Sequence, residues 1–264
     1  MEKLTPIIEI LKRIIASGFI KNESPLSALL IAPVGAGKTT ALKKFFINNN
    51  ILVLSDVTPY GLTKLLPEIE AKNVKHLIIP DLVEPMSRSR PIVNSLIGFL
   101  NSLIEEGIFR ISTAFIEIKK PIKLGLISST TIDELKDRRR GWLGIGFISR
   151  MLPISFNYTN IDIAQILENI ASGKYTDITY ETLKLKEKEI KGNEEIFKQL
   201  IPYSEQIDYA LSKERKVIPF RRQKQLQILL KSNALLNDRD EVTKEDLEWF
   251  KSVRYWINFD FNPL

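Results

Sequence analysis

The chain has 264 residues, of which 44% are hydrophobic and 27% are charged, a composition typical of a soluble globular protein. Because it has no cysteine and no apolar run of membrane-spanning length, the sequence excludes a disulfide framework, a thiolate zinc site and a membrane span. The formal net charge of +6 is compatible with nucleic-acid binding but does not establish it. The first residues lack the basic segment and apolar core of a signal peptide, so we expect a cytoplasmic protein.

Short apolar runs alternate with segments of helical spacing along the first part of the chain. Residues 6–15 have the apolar spacing of a helix. A strand or hairpin is predicted at 109–118. Further helices are predicted at 40–46, 60–72 and 92–104, and core strands at 28–31, 51–54, 76–81, 124–128 and 151–156. This alternation predicts the α/β class, with a parallel sheet between layers of helices.

The composition changes near Asn160, and the remaining chain is mainly helical in pattern. Its strongest periodic helix covers residues 226–236. Thr243 and the three residues after it resemble a capping box that opens a last helix. The highly charged stretch 184–191 is predicted to be a solvated connector, and the chain ends in an unusually aromatic tail.

Residues 32–39, Ala-Pro-Val-Gly-Ala-Gly-Lys-Thr, match the phosphate-binding motif G-x-x-x-x-G-K-[ST] with alanine in place of the first glycine. A strand pattern precedes the motif and a helical pattern follows it, which favours a phosphate loop over a chance glycine-rich turn. Gly35 and Gly37 allow backbone N–H groups to form a nest for phosphate oxygens. Lys38 is predicted to reach the β- and γ-phosphates of ATP, and Thr39 to ligate Mg²⁺. The predicted nucleotide contacts are Pro33, Val34, Gly35, Ala36, Gly37, Lys38, Thr39 and Thr40.

Four further elements follow the phosphate loop. Asp81 ends a strand, where a carboxylate can hold Mg²⁺ directly or through water, and Ser128-Ser129-Thr130 ends the next core strand, where a polar side chain can orient water. Residues 146–151 precede the last core strand, and Pro219-Phe220-Arg221-Arg222 opens a helix. In this order they resemble the elements of the AAA+ ATPases: Walker A, Walker B, sensor 1, arginine finger and sensor 2.

The resemblance covers residues 25–252. Within it, the segments 100–127 and 234–247 are similar to those of MoxR-type and minichromosome-maintenance-type members. The resemblance implies a nucleotide-binding α/β domain at 1–159 and a helical lid domain at 160–264, with ATP and Mg²⁺ bound between them.

The resemblance also implies roles for single residues. Thr130 corresponds to sensor 1, with Ser129 as the alternative. Arg150, in a Ser-Arg-Met setting, corresponds to the arginine finger that reaches the γ-phosphate held by a neighbouring subunit. Arg221 corresponds to sensor 2, with its neighbour Arg222 as the alternative.

One departure from the family concerns the catalytic base. Asp81 corresponds to the Walker B aspartate, a magnesium ligand, but the glutamate that usually follows it is Leu82 here. Glu84 is the nearest candidate for the group that polarises water. We therefore expect slow hydrolysis, or a nucleotide switch that barely turns over.

An arginine finger that acts in trans implies a homo-oligomeric ring or spiral. One hypothesis is a motor or switch on DNA, such as a replication initiator, a helicase loader or a mobile-element ATPase. The other is a MoxR-type ATPase that remodels a protein partner; a monomeric nucleotide kinase fits less well, because such kinases lack the ordered sensor and finger elements. The DNA hypothesis is favoured by the net charge and by four basic residues on or beside the predicted hairpin: Arg110, Lys119, Lys120 and Lys123. Their alternative role is an exposed charged surface.

Two other polar features are predicted to be structural. The run Asp-Arg-Arg-Arg at 137–140 is interpreted as a solvated face rather than as a nucleic-acid contact. His76, the single histidine, starts a strand and is interpreted as a structural residue rather than a catalytic one.

Overall fold

The centre of the molecule is a five-stranded parallel sheet. The computed structural model describes residues 2–111, 116–174, 178–212 and 217–259. The strands are β1 (Ala28–Ile31), β2 (Ile51–Val53), β3 (His76–Ile79), β4 (Ile108–Ile111), β5 (Ile116–Ile122), β6 (Gly125–Thr130) and β7 (Leu152–Ser155). The sheet has the order β2-β3-β6-β1-β7, and β4 pairs with β5 as a separate antiparallel hairpin. The predicted core strands and the α/β class are confirmed.

The sheet has two functionally different edges because its strands are parallel. Every residue of β1, β3, β6 and β7 is buried, which explains their unbroken apolar character. The carboxyl ends of the strands share one edge, here called the carboxyl edge, and the opposite edge is called the amino edge. The loops that follow β1, β3 and β6 therefore meet at the carboxyl edge, where parallel sheets bind ligands.

Helices cover the sheet and continue into the C-terminal part of the chain. Threonine side chains accept hydrogen bonds at the start of several helices, and the capping box predicted at Thr243 is confirmed, with Asp246 as its second member. Among the described residues, no helix is long and apolar enough to cross a membrane. The helices are α1 (Thr5–Ala16), α2 (Lys38–Lys43), α3 (Pro59–Ala71), α4 (Val83–Met86), α5 (Arg90–Asn101), α6 (Ile132–Gly144), α7 (Asn160–Ala171), α8 (Glu194–Lys198), α9 (Ile201–Ser212), α10 (Phe220–Leu236) and α11 (Lys244–Val253).

The helix predicted at 92–104 ends earlier than its apolar spacing suggests. Regular α-helix stops at Asn101, and a π-helical turn follows at Ser102–Glu106. Gly107 closes this turn with a φ of 84°, a conformation that favours glycine, and the chain enters β4 at once. The wider turn places Glu105 beside the amino edge, where it has a role described below.

The N-terminal helix joins the sheet to the C-terminal helices. The apolar face of α1 is fully buried, and α1 packs along α10. Arg13 Nε donates to Asn233 Oδ1 at 3.0 Å, which fixes the two helices against each other. The buried apolar side chains form one cluster from α1 to the residues that follow α11. The division into domains at residue 160 stays a prediction.

Residues 178–193, here called the strap, form no helix or strand of their own, but backbone hydrogen bonds tie them to the rest of the molecule. Glu181 N donates to Lys44 O at 2.7 Å, Lys188 N to Phe19 O at 2.9 Å and Lys191 N to Asp240 O at 2.8 Å. Charged side chains of the strap face solvent as predicted, while alternate apolar ones pack on the core. The backbone of the strap is therefore fixed at three places, two of them within the predicted connector at 184–191.

His76 is fully buried at the start of β3, as expected for a structural residue. Its Nε2 lies 3.2 Å from Leu26 O. A Cβ atom at Gly125 would collide with both the imidazole ring and the Leu26 carbonyl, so only glycine fits there. Burial lowers the pKa of His76 to about 4, although its backbone hydrogen bonds act in the opposite direction.

This depressed pKa predicts that acid destabilises the fold. The unfolded chain binds a proton on histidine near pH 6.5, whereas folded His76 binds one only near pH 4, so stability falls as the pH drops through that window. Between pH 7 and pH 5 the loss is about 2 kcal/mol. Urea unfolding of the natural chain and of His76→Asn at both pH values isolates the effect, because the carboxylates titrate in both proteins. An equal loss of stability in the two proteins would contradict the prediction.

Candidate active site

The phosphate loop connects β1 to α2 at the carboxyl edge. Gly35 has a φ of 76° and Gly37 a φ of 80°, so both need the conformational freedom of glycine. Gly37 caps α2, which begins at Lys38. The first N–H groups of a helix have no carbonyl partner within it, so those of α2 are available to phosphate oxygens. Both glycines of the motif therefore stand at positions of positive φ, and phosphate binding by the loop stays a prediction.

Lys38 lies over the loop that carries it. Its Nζ donates to Ala32 O at 2.9 Å and to Pro33 O at 2.8 Å. Burial lowers the pKa of Lys38, and the negative charge of Asp81 offsets part of this effect. The ammonium group therefore lies between backbone acceptors and within the field of Asp81. A phosphate oxygen is a stronger acceptor than either carbonyl because it carries charge.

Asp81 follows β3 and exposes its carboxylate at the same edge. Its Oδ1 accepts a hydrogen bond from Val83 N at 2.9 Å. Leu82 is fully buried, and its N–H donates to Ser129 O at 3.0 Å, which ties the end of β3 to β6. The position that holds a glutamate in the resembling family is thus part of the core. Glu84 lies on α4 with its side chain exposed, and no described hydrogen bond brings its carboxylate toward Lys38.

The end of β6 separates the two candidates for sensor 1. Ser129 Oγ donates to Pro80 O at 2.6 Å and is therefore used to hold the loop after β3. Thr130, paired with Ile31 at the end of β1, is buried, and its Oγ1 has no hydrogen-bond partner among the described residues. A buried hydroxyl without a partner costs about 1–3 kcal/mol, so Thr130 is the residue with a reason to bind a ligand.

Tyr158 is a part of the site that sequence reasoning missed. It follows β7, and its Oη donates to Ala36 O at 3.0 Å, which fixes the phosphate loop from the side. Leu4 packs close by, because a Cβ at Gly37 would lie 3.2 Å from Leu4 Cδ1. Neither residue belongs to a motif, so no local pattern in the sequence indicates its place.

Arg150 and Arg221 are brought together on the amino edge, not on the edge of their own phosphate loop. Arg221 Nη2 lies 2.6 Å from Glu105 Oε1, Arg150 Nε forms an ion pair with Glu105 Oε2, and Arg221 Nη1 donates to Ser149 Oγ at 2.9 Å. Burial raises the pKa of Glu105, but the two arginines outweigh it and the pKa is lowered. We call Glu105, Arg150 and Arg221 the arginine face.

The position of β1 separates the arginine face from the phosphate loop. Leu152, two residues after Arg150, donates its N–H to Ser27 O at 2.8 Å, just before β1 begins. The phosphate loop starts where β1 ends. A strand of this length spans about 13 Å. Neither arginine therefore lies beside the phosphate loop of its own chain.

Arg222, the alternative to Arg221, is a buried anchor. Its Nε lies 3.1 Å from Asp208 Oδ1, and its Nη1 donates to Met151 O at 2.9 Å and to Gln225 Oε1 at 2.7 Å. Burial lowers the pKa of Arg222, and Asp208 offsets part of the shift. This side chain fixes α10 to the start of β7, whereas Arg221 remains partly exposed.

The arginine face opens into a cavity of about 140 Å³ with a surplus of positive charge. Lys123 and Lys224 line it together with Arg150 and Arg221, and Glu105 is its acidic group. Burial and the neighbouring charge of Lys224 lower the pKa of Lys123. Four cations around one carboxylate make this cavity suited to an anion.

The C-terminal helices match a known family. The family model of the AAA lid domain matches residues 195–260, from α8 to the residues after α11. The match covers the C-terminal part of the chain and supports its resemblance to the AAA+ ATPases. No curated protein matches the chain. AAA+ ATPases generally use ATP and Mg²⁺. The resemblance noted at the phosphate loop thus has a counterpart in the C-terminal helices. Membership of the MoxR or minichromosome-maintenance type stays a prediction.

The carboxyl edge of the sheet fits a magnesium nucleotide. The loop around Gly35 and Gly37 has the shape of a phosphate nest, and Lys38 supplies an ammonium group. Thr39 and Asp81 both expose an oxygen ligand of the type that Mg²⁺ prefers. The orphaned hydroxyl of Thr130 lies at the same edge. These residues would hold the magnesium nucleotide between them.

The basic residues predicted for DNA contact are placed in part. The backbone of β4 and β5 forms the predicted hairpin, with Arg110 opposite Glu117, while the side chains of 109–120 lie outside the described residues. In the run 137–140, Arg138 pairs with Glu134, and Arg139 donates to Ala210 O and lies over Phe259. Arg139 thus has an internal structural role in what was predicted to be a solvated face.

Proposed function

We propose that this AAA+ protein is a cytoplasmic ATP-driven motor or switch that acts on DNA as a ring or spiral of identical subunits. The proposed assembly is supported by the positions of its groups. Arg150 and Arg221 lie at the amino edge of the sheet, whereas the phosphate loop lies at the carboxyl edge. The length of β1 keeps both guanidinium groups from the nucleotide of their own chain. They can serve the nucleotide of a neighbour stacked head to tail.

Each group of the site has a role in this proposal. Lys38 binds the β- and γ-phosphates, and Thr39 and Asp81 hold Mg²⁺, which neutralises phosphate charge when bound. Thr130 orients the attacking water. The neighbour's Arg150 and Arg221 stabilise the charge that develops on the transferred phosphoryl group. Because Leu82 cannot accept a proton and Glu84 lies on a helix surface, hydrolysis is slow.

In a subunit without a neighbour, Glu105 holds Arg150 and Arg221 in ion pairs. Its ion pairs are partly exposed, and such pairs are worth about 0–1 kcal/mol each. Phosphate oxygens of a neighbouring nucleotide carry more charge and can take over both guanidinium groups. Glu105 stands in the π-helical turn that leads into β4, so its release would be felt at the hairpin.

The hairpin and the net charge support DNA as the substrate. Arg110, Lys119 and Lys120 belong to β4 and β5, and the chain carries a formal charge of +6. Contacts with phosphates would give affinity without sequence preference and would release counterions.

DNA binding tests this proposal. Affinity for duplex DNA, measured by gel shift with and without ATP at two salt concentrations, is expected to fall steeply with salt. The double variant Lys119→Glu, Lys120→Glu should weaken binding to all sequences alike and reduce the slope of log affinity against log salt by about two. Its matched control changes two exposed lysines of the strap, Lys184→Glu and Lys186→Glu, and should bind more tightly than the hairpin variant.

Absence of DNA binding by the natural chain at low salt, with and without ATP, would make the DNA proposal wrong. Remodelling of a protein partner in the MoxR manner would then be the better supported function. Equal effects of the hairpin and strap variants would mean that net charge alone, and not the hairpin, attracts DNA.

A further inference from the structure

Helix α7 has an apolar face that the described chain leaves uncovered. Ile163, Leu167 and Ile170 are 44%, 60% and 50% exposed. Their spacing of four and three residues places them on one side of the helix, and Ile166 extends the same side. Within α7 only Asp162 is buried. An apolar surface of this kind on an otherwise polar exterior marks an interaction site.

This helix starts beside the phosphate loop. Tyr158 donates to Ala36 O at 3.0 Å, and the next residue, Thr159, caps α7. Lys3 Nζ lies 2.7 Å from Asp162 Oδ1, and Leu4, next to Lys3, packs against the loop at Gly37. A partner that binds to α7 therefore lies close to the phosphate loop.

A second uncovered apolar surface borders the arginine face. Phe220, Ile218 and Ile145 are 80%, 56% and 44% exposed, and we call them the Phe220 rim. Phe220 directly precedes Arg221. Ile145 directly precedes Gly146, whose carbonyl accepts a hydrogen bond from Arg150 Nη1 at 2.7 Å. Phe220 and Ile145 thus each adjoin in sequence a residue that belongs to, or is hydrogen-bonded to, the arginine face.

The two surfaces are complementary in charge as well as apolar. Glu168 is an exposed acidic residue of α7, which has no basic residue, whereas Asp162 is buried and paired with Lys3. The Phe220 rim borders Arg221 and Lys224, in the cavity with surplus positive charge. A like-charged surface would repel α7, whereas this one attracts it.

We propose that the apolar face of α7 docks against the Phe220 rim of a second copy of this chain, and that this contact delivers the second copy's Arg150 and Arg221 to the phosphate loop. The inference rests on the proposed function, in which those arginines act across a subunit boundary. The two contacting surfaces are different, so each copy in a pair still has one surface free for a further neighbour. Repetition of the contact builds a ring or spiral.

Charge placed in either surface tests the contact. Leu167→Glu and Phe220→Glu alter exposed side chains, so circular dichroism and the affinity for a fluorescent ATP analogue should stay unchanged. With ATP present, each variant alone should associate about 30-fold or more weakly in light scattering, the loss typical of a central interface residue. Ile47→Glu is the matched control: this residue is 52% exposed and precedes β2, at the opposite side of the sheet from β7. It should associate like the natural chain.

Mixing the two variants gives the sharper result. A pair formed from one Leu167→Glu copy and one Phe220→Glu copy has one contact in which α7 and the rim are both natural. Such a mixture should form dimers at concentrations where neither variant does, and should not form longer assemblies. Normal association of either variant, no dimers in the mixture, or a natural chain that stays monomeric with ATP would each overturn the proposal.

One further variant separates this proposal from the proposed function. Arg150→Ala removes the charge that serves catalysis and leaves α7 and the Phe220 rim intact. If it associates normally but hydrolyses ATP slowly while Leu167→Glu also associates normally, the arginine assignment stands and the α7 contact is wrong. If Leu167→Glu blocks association while Arg150→Ala hydrolyses ATP at the natural rate, the contact stands and the catalytic assignment is wrong.

Discussion

Replacement of Lys38 by alanine is expected to lower the rate of ATP hydrolysis by about 10²–10³-fold. The ammonium group lies over the phosphate loop, held by the carbonyls of Ala32 and Pro33 at 2.9 and 2.8 Å. In the proposed function it moves to phosphate oxygens when nucleotide binds. Its charge then stabilises the phosphates in the transition state. Phosphate release at saturating ATP measures the rate, and titration with a fluorescent analogue measures the accompanying loss of affinity.

The fold should tolerate this change, because the bonds of Lys38 are to backbone groups at an exposed edge. Lys43→Ala is the matched control, since Lys43 is an exposed lysine on the same short helix. It should leave both the rate and the thermal midpoint near their natural values. A natural rate in Lys38→Ala would show that the phosphate loop does not bind the reacting phosphates.

Replacement of Arg150 by alanine is expected to reduce hydrolysis by about 10³–10⁵-fold while ATP still binds. An arginine supplied across a subunit boundary contributes only when charge develops in the transition state, so affinity for the ground-state nucleotide should change little. Arg150 lies at the amino edge with Arg221 and Glu105, away from the phosphate loop of its own chain. Single-site binding and steady-state turnover, measured on the same preparation, separate the two effects.

A mixture of Arg150→Ala and Lys38→Ala should recover activity that neither protein has alone. The Arg150→Ala copy supplies an intact phosphate loop, and the Lys38→Ala copy supplies an intact arginine to it. Arg140→Ala, at an exposed arginine of α6, serves as the matched control and should hydrolyse ATP normally. A mixture that assembles but shows no recovery would contradict catalysis across the boundary.

The sheet and the phosphate loop could be predicted because their sequence signals are local. A strand covered on both faces needs a short unbroken apolar run, and β1 and β6 have such runs. The loop needs glycines where φ is positive, and Gly35 and Gly37 stand at those places. The sequence could not choose between Thr130 and Ser129 as sensor 1, because both are hydroxyl residues at the end of the same strand. The structure distinguishes them: Ser129 Oγ donates to the Pro80 carbonyl, whereas Thr130 Oγ1 has no hydrogen-bond partner among the described residues.

The arginine face could not be predicted in full, because its contacts join distant parts of the chain. Glu105 and Arg221 are 116 residues apart and meet only because a π-helical turn and the start of α10 share the amino edge. The apolar spacing of α7 predicts a helix but cannot show that its apolar side is left exposed. Tyr158 likewise gains its position from the end of β7 and from no motif.

The strap limits how the molecule can deform. One of its hydrogen bonds lies at Lys44, just after the helix that begins in the phosphate loop, and another lies at Asp240, between α10 and α11. Ten residues of backbone span at most about 33–36 Å, so the strap limits how far its two ends can move apart. It can transmit tension but not compression. If α2 moves away from the C-terminal helices, the strap must pull those helices along or its hydrogen bonds must break. If α2 moves toward them, the strap can bend instead. The two directions of motion are therefore mechanically unequal.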